Sequence, residues 1–273
     1  MYRISVSNEE IEKLPLAAFP GRIVIIDKPG IKLNAAVAHL KTQKLIGFDT
    51  ETKPIFNPAQ PRHRVALLQL STKNFSYLIR IDKLGGIPAK IIEVLCDKRI
   101  LKVGAATSDD VRGLEKHHGF IPAGFVDLQK IAWEYGIKDK SVKKMAAIIL
   151  DVKISKTQQL SNWEAESLTE AQKKYAATDA WICREMYIKL KESPKHPLTP
   201  EQLAPVQPMQ QPEPSAEEIQ ARKEQKAKKR REAEKARRKR ARARKAAEKT
   251  APIEVPASQS ISQNIPENTV ATA

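Results

Sequence analysis

The sequence predicts an α/β domain built on a mixed sheet with helices over its faces, and three observations carry that expectation. Short apolar runs rich in Val, Ile and Leu recur between residues 22 and 128. Three of them, at 45–49, 65–70 and 75–79, have no helix between them and read as an antiparallel meander. Beyond residue 88, strand-like and helix-like segments alternate, the pattern that lays helices on a sheet.

Taken in order, residues 7–14 form a short capped helix, with Ser7 as N-cap and Glu10 at the capping-box position. Residues 22–27, with Ile-Val-Ile-Ile inside, are a short buried strand closed by the Pro29–Gly30 turn. An amphipathic helix over 32–41 leads into the strand at 45–49. The next two strands, 65–70 and 75–79, are joined by Ser71-Thr72-Lys73-Asn74. Helix 88–96, strand 100–103, helix 109–117 and strand 125–128 follow. Helices at 131–135, 142–150 and 169–190 complete the domain. Thr169 caps the last, and Ala176, Ala180, Cys183 and Tyr187 form its apolar stripe at helical spacing.

All fourteen aromatic residues lie at or before Tyr187, so the last 86 residues have none with which to build a core. One folded domain over 1–192, with its motif-bearing core at about 40–190, is therefore expected. Seven of the 18 prolines fall within 193–214, which reads as an extended linker. Residues 215–250 are nearly all Ala, Glu, Lys and Arg, a composition that favours a solvated helix without an apolar face. Residues 251–273 read as a disordered tail.

Composition also excludes. Two cysteines, Cys96 and Cys183, make neither a disulfide framework nor a thiolate zinc site, which fits a reducing compartment. No signal-peptide stretch opens the sequence, and no apolar run approaches the roughly 20 residues that span a bilayer. A cytoplasmic location is expected. In a eukaryotic host the Lys228–Arg231 and Arg237–Arg240 clusters would read as a nuclear import signal. Net charge is +16, positive both in the folded part and in the tail, which suits a polyanion such as nucleic acid or serves solubility alone.

Three groups of acids stand where stability does not ask for them. Asp49 and Glu51 follow an apolar strand at i and i+2, so both point to one face. Either they repel until a hard cation such as Mg²⁺ or Mn²⁺ neutralises them, or one caps a turn and the other is solvated. Asp109 and Asp110 open a helix after the small residues Gly104-Ala-Ala. One of them can cap its N-terminus; the other is free to face the strand ends. Tyr175 and Asp179 share a helix face at i and i+4, which is also the spacing of a satisfied buried hydrogen bond.

Together, Asp-x-Glu, Asp and Tyr-x-x-x-Asp in this order resemble the three motifs of the DEDDy 3′–5′ exonucleases, the ribonuclease D and Werner-type branch of the ribonuclease-H-like superfamily. Val65-Ala-Leu-Leu-Gln-Leu-Ser71, Ser161-Asn-Trp163, Leu168-Thr169-Glu-Ala-Gln172 and Tyr175-Ala-Ala-Thr-Asp179-Ala are also similar to that family. The resemblance implies a ribonuclease-H-like fold around a mixed five-stranded sheet flanked by helices. It implies that Asp49, Glu51 and Asp179 hold one divalent ion, that Asp49 and Asp110 hold a second, and that Tyr175 orients the attacking water. The resemblance also prefers Asp110 to Asp109, because its distances to Gly104 and Leu114 fit the family's pattern. No histidine lies between His118 and His196, which disfavours the histidine variant of the family.

The implied activity is Mg²⁺- or Mn²⁺-dependent release of nucleoside monophosphates from DNA or RNA 3′ ends. The alternative is an inactive nucleic-acid-binding module of the same fold, with the basic tail as its main contact. The tail offers a further surface for a protein partner.

Overall fold

The computed structural model of the chain describes residues 1–57, 59–204 and 220. Helix α1 (Asn8–Glu12) opens on the expected capping box: the Ser7 hydroxyl accepts from the Glu10 N–H, and the Glu10 carboxylate accepts from the Ser7 N–H at 2.9 Å. There follow β1 (Arg22–Ile26), α2 (Ile31–Lys41), β2 (Leu45–Thr52), β3 (Val65–Ser71), β4 (Phe75–Arg80) and the one-turn α3 (Ile81–Leu84). Then come α4 (Ala89–Cys96), β5 (Leu101–Gly104), α5 (Thr107–Glu115) and β6 (Phe125–Asp127). α6 (Leu128–Ile131) runs into a 3-10 turn at Ala132–Tyr135, ahead of α7 (Val142–Leu150), α8 (Glu170–Lys191) and the short α9 (Pro200–Leu203). No helix among the described residues is long and apolar enough to cross a membrane.

The sheet has six strands, not five, in the order β1-β4-β3-β2-β5-β6. β2, β3 and β4 form the predicted antiparallel meander, whereas β1 on β4, and β5 and β6 beyond β2, pair in parallel. The three-residue β6 joins β5 through Lys102–Phe125, Val103–Val126 and Gly104–Asp127, which completes the larger sheet.

Helices cover both faces. α2, α4 and α5 bury Leu33, Leu40, Ile91, Leu95 and Leu114 against Ile46, Phe48, Leu68 and Leu70 of one face. α7 and α8 close the other, with Trp163, Tyr175 and Ala176 packed on Leu67 and Leu78. α8 comes unusually near. Gly47 of β2 faces it, and a Cβ there would stand 1.8 Å from the Ala180 carbonyl oxygen. The absent side chain and the fully buried Ala176, Ala177 and Ala180 let helix backbone rest on strand backbone. Thr169 caps α8 with Gln172 completing a capping box, and the Gln172 amide donates to the Asn162 carbonyl at 3.1 Å. The Ser161–Trp163 and Leu168–Gln172 motifs thus seat the helix start.

The expected linker also differs at its beginning. Residues 193–204 pack on the domain: the His196 N–H donates to the Glu134 carbonyl at 2.9 Å, and the Leu198 N–H to that of Trp133 at 3.0 Å. Leu198 is buried, and Thr199 and Gln202 form a capping box on α9. Pro200 occupies the first helical turn, where its missing N–H leaves no hydrogen bond unmade. The rest of the linker, the basic segment 215–250 (Gln220 apart) and the 251–273 tail lie outside the described residues.

Candidate active site

Strand β2 runs past Phe48 through Thr52, so Asp49 and Glu51 lie within the strand and do not follow it. Asp49 is paired with Gln69 and Glu51 with Leu67 of β3, and the register shifts between Glu51 and Thr52. Alternation sends Gly47, Asp49 and Glu51 towards α8 and Thr50 towards α5. Asp179 precedes Ala180, the residue lodged against Gly47. One oxygen from each of Asp49, Glu51 and Asp179 therefore lies within 4.8 Å of the others; the first two residues are half-buried and Asp179 is buried.

Asp49 and Glu51, so placed, resist ionisation. Burial, then the charges of Asp179 and Asp110, pushes the Asp49 carboxyl well above its usual range. Glu51 is pushed up too, by burial first and then by Asp49 and Asp179. Asp179 adds a buried oxygen, Oδ1, with no hydrogen-bond partner among the described residues. A set of converging carboxylate oxygens, one of them lacking any donor, fits a hard divalent cation.

Asp110 stands outside this trio, on α5. Its carboxylate accepts from the Thr50 hydroxyl at 2.5 Å, and burial raises its pKa to about 6 despite that bond. Asp109 is exposed and pairs with Arg112. Neither acid caps the helix. α5 begins at Thr107, two residues earlier than expected, and its N-cap is Ala106 in the left-handed conformation at φ 59°. Asp110, four residues before the buried Leu114, is the acid that reaches β2.

Tyr175 lies one turn before Asp179, against Trp163 with 5.9 Å between ring centroids. Burial, then the charges of Asp179 and Glu51, drives its phenol far above the ordinary tyrosine range, so it stays protonated. All five predicted residues thus gather where β2, α5 and α8 meet: three in one cluster, Asp110 beside it through Thr50, and Tyr175 against Asp179.

Two residues of the neighbourhood had not been singled out. Lys156 donates to Asp179 Oδ2 at 2.8 Å. Its loop has no periodicity that would have marked it. Gln69, opposite Asp49, is fully buried with neither amide atom hydrogen-bonded. On sequence it lay within the Val65–Ser71 run similar to the family, with no role given to it.

A cleft of about 540 Å³ opens at Glu51 and Asp110, lined also by Lys53, Arg62, Arg64 and Lys116. A second cavity of about 880 Å³ reaches past His63 to Phe56, Leu160 and Asn162. Glu164 holds the walls together, 2.8 Å from His63 and 3.1 Å from Lys53.

A family model described as 3′–5′ exonuclease matches residues 24–193. The mouse (Mus musculus) exonuclease 3′-5′ domain-containing protein 2 is 36% identical over 157 residues, which cover 54% of this chain and 24% of that protein. The exonuclease domain of Nibbler from Aedes aegypti has a TM-score of 0.53 at 25% identity, over 62% of this chain and 87% of the domain. Escherichia coli ribonuclease D has a TM-score of 0.54 at 22% identity, over 62% of this chain and 45% of that one, and so shares the fold. The chain spans about a quarter of the length of the mouse, Drosophila melanogaster and human exonuclease 3′-5′ domain-containing protein 2. With the family model covering more than half of its residues and the acidic cluster inside that span, the chain belongs to the 3′–5′ exonuclease family.

Proposed function

We propose that the chain is a metal-dependent 3′–5′ exonuclease that releases nucleoside monophosphates from nucleic-acid 3′ ends. The observation that carries this reading is the convergence of Asp49, Glu51 and Asp179, with Glu51 and Asp110 lining a cleft that also carries Arg and Lys. Two divalent ions, one at Asp49, Glu51 and Asp179 and one at Asp49 and Asp110, would supply Lewis-acid activation of water and charge neutralisation at the scissile phosphate.

The chain's own residues do the rest. Strand and helix backbones fix the carboxylates, and the Thr50 hydroxyl orients Asp110. Tyr175, protonated, donates a hydrogen bond that aims the attacking water; it is a positioning group and not a base. Arg62, Arg64 and Lys116 meet the phosphates of the incoming strand. Water oxygen attacks the terminal phosphorus in line, and the bond to the preceding nucleotide's 3′ oxygen breaks. That oxygen takes up a proton, leaving a new 3′ hydroxyl and a free nucleoside monophosphate.

The test is a degradation assay on 3′- and 5′-labelled single strands of DNA and RNA with Mg²⁺, Mn²⁺ or EDTA, with Asp49→Asn as control. Stepwise shortening from the 3′ end, only with metal, is expected, and the better substrate reveals the sugar preference. Binding without cleavage in either metal would support an inactive binding module instead.

A further inference from the structure

The loop between α7 and α8 puts a cation inside the acidic cluster. Lys156 Nζ lies 2.8 Å from Asp179 Oδ2 and 3.4 Å from the Tyr175 hydroxyl oxygen, 5.3 Å from the centroid of the Tyr175 ring. The lysine side chain is 30% exposed, against 6% for that of Asp179. It therefore reaches in from solvent to a carboxylate that is fixed. The two Asp179 oxygens divide accordingly: Oδ2 is taken by Lys156, and Oδ1 is without a partner. The ammonium also works against the raised proton affinity of Asp49 and Glu51. It serves the carboxylates that a metal would serve.

An ammonium and a divalent ion on the same carboxylate repel, and repulsion is strong where water is partly excluded. The ammonium is a point charge on a flexible four-carbon stem, so it has a way back to solvent that the buried acids lack. We propose that Lys156 is the resident cation of the metal-free site: it neutralises Asp179 and steadies Tyr175 until a divalent ion arrives, then gives up Asp179 to that ion. This rests on the carboxylates' binding a divalent ion. Lys156 is then a positioning residue that balances the carboxylates before metal binds and sets how tightly metal is held.

Two measurements on the full chain test it, neither of them activity. Mn²⁺ titration followed by the paramagnetic signal of the free ion compares wild type with K156M, which keeps the stem, and K156R, which keeps the charge. K156M should bind Mn²⁺ about fivefold more tightly, the scale of one partly exposed ion pair, and K156R should stay near wild type. Equal or weaker binding by K156M overturns the proposal. The second measurement needs no variant to fold: amine acetylation of the wild-type chain, read by mass spectrometry with and without Mg²⁺. Lys156 should become several-fold more reactive with Mg²⁺ while Lys83 and Lys143, which pair with Glu166 and Glu12 outside the cluster, do not change. Unaltered reactivity at Lys156 overturns the proposal. Wild type that binds no Mn²⁺ at all would bring down the metal reading as well, which separates the two failures.

Discussion

The two faces of β2 hold acids by different means. Towards α8, backbone meets backbone through Gly47 and Ala180, and Asp49, Glu51 and Asp179 are crowded within 4.8 Å. Towards α5, Asp110 is reached by the Thr50 hydroxyl alone, and its neighbour Asp109 is left in solvent with Arg112. On the first face the small residues force the carboxylates together; on the second a single hydrogen bond selects one acid of two. Crowded charge therefore depends on what is missing from the strand as much as on the acids themselves.

The largest effect should come from the crowded face. Asp49→Asn should abolish cleavage yet raise the melting temperature in EDTA, because a buried carboxyl whose ionisation is disfavoured is removed; Asp179→Asn should abolish cleavage without that gain, because it also takes the partner from Lys156. Retained activity in either variant would end the site assignment. Gly47→Ala adds a methyl group that must displace Ala180. It should cost about 1–3 kcal/mol or more in chemical denaturation, and part Asp179 from Asp49 enough to lose most turnover. A stable, active Gly47→Ala protein would show that the contact does not set the spacing.

The same crowding gives a pH signature. Asp49 and Glu51 hold protons more tightly folded than unfolded. Below about pH 4 both states are protonated and the cluster costs nothing. As pH rises, the unfolded chain ionises first, so the metal-free protein loses stability until the folded carboxylates ionise too. A divalent ion binds the ionised form, so the gain in melting temperature with Mn²⁺ should grow between about pH 5 and pH 8. Calorimetry at fixed Mn²⁺ reads this directly, and a gain independent of pH would contradict a carboxylate metal site.

Smaller effects belong to the α5 face. Thr50→Val removes a bond that holds the Asp110 pKa down, so the acid limb of the pH–rate profile should move to higher pH. Asp109→Asn should leave turnover within about twofold of wild type, as expected of an exposed surface change. Were Asp109→Asn to be as damaging as Asp110→Asn, the contrast between the two acids would be lost.

Much of this was legible in the sequence. A period of two put Asp49 and Glu51 on one face, and the capping residue and small-residue stripe marked α8. The preference for Asp110 came from the resemblance, whose pattern its distances to Gly104 and Leu114 fit, and the buried Leu114 gives the physical reason. Lys156 and Gln69 were not legible, since the first sits outside regular structure and the second is defined only by its partner strand. The strand at 125–128 was legible, and only the count of five that the resemblance implied fell short; the packing of residues 193–204 depends on tertiary contacts that composition does not encode. Prolines there suggested an extended chain, but one of them starts a helix.

The middle of α8 has one more consequence, in time and not in space. Residues 175–180 are all buried, so this stretch of the helix is enclosed apart from the side that Lys156 reaches. Backbone amides in such a stretch exchange with solvent only when a large part of the domain opens. The helix therefore has no local, rapid way to release its carboxylate. Whatever enters or leaves the acidic cluster on the timescale of turnover must pass on the open side, by way of Lys156 and the cleft, while the α8 side stays shut.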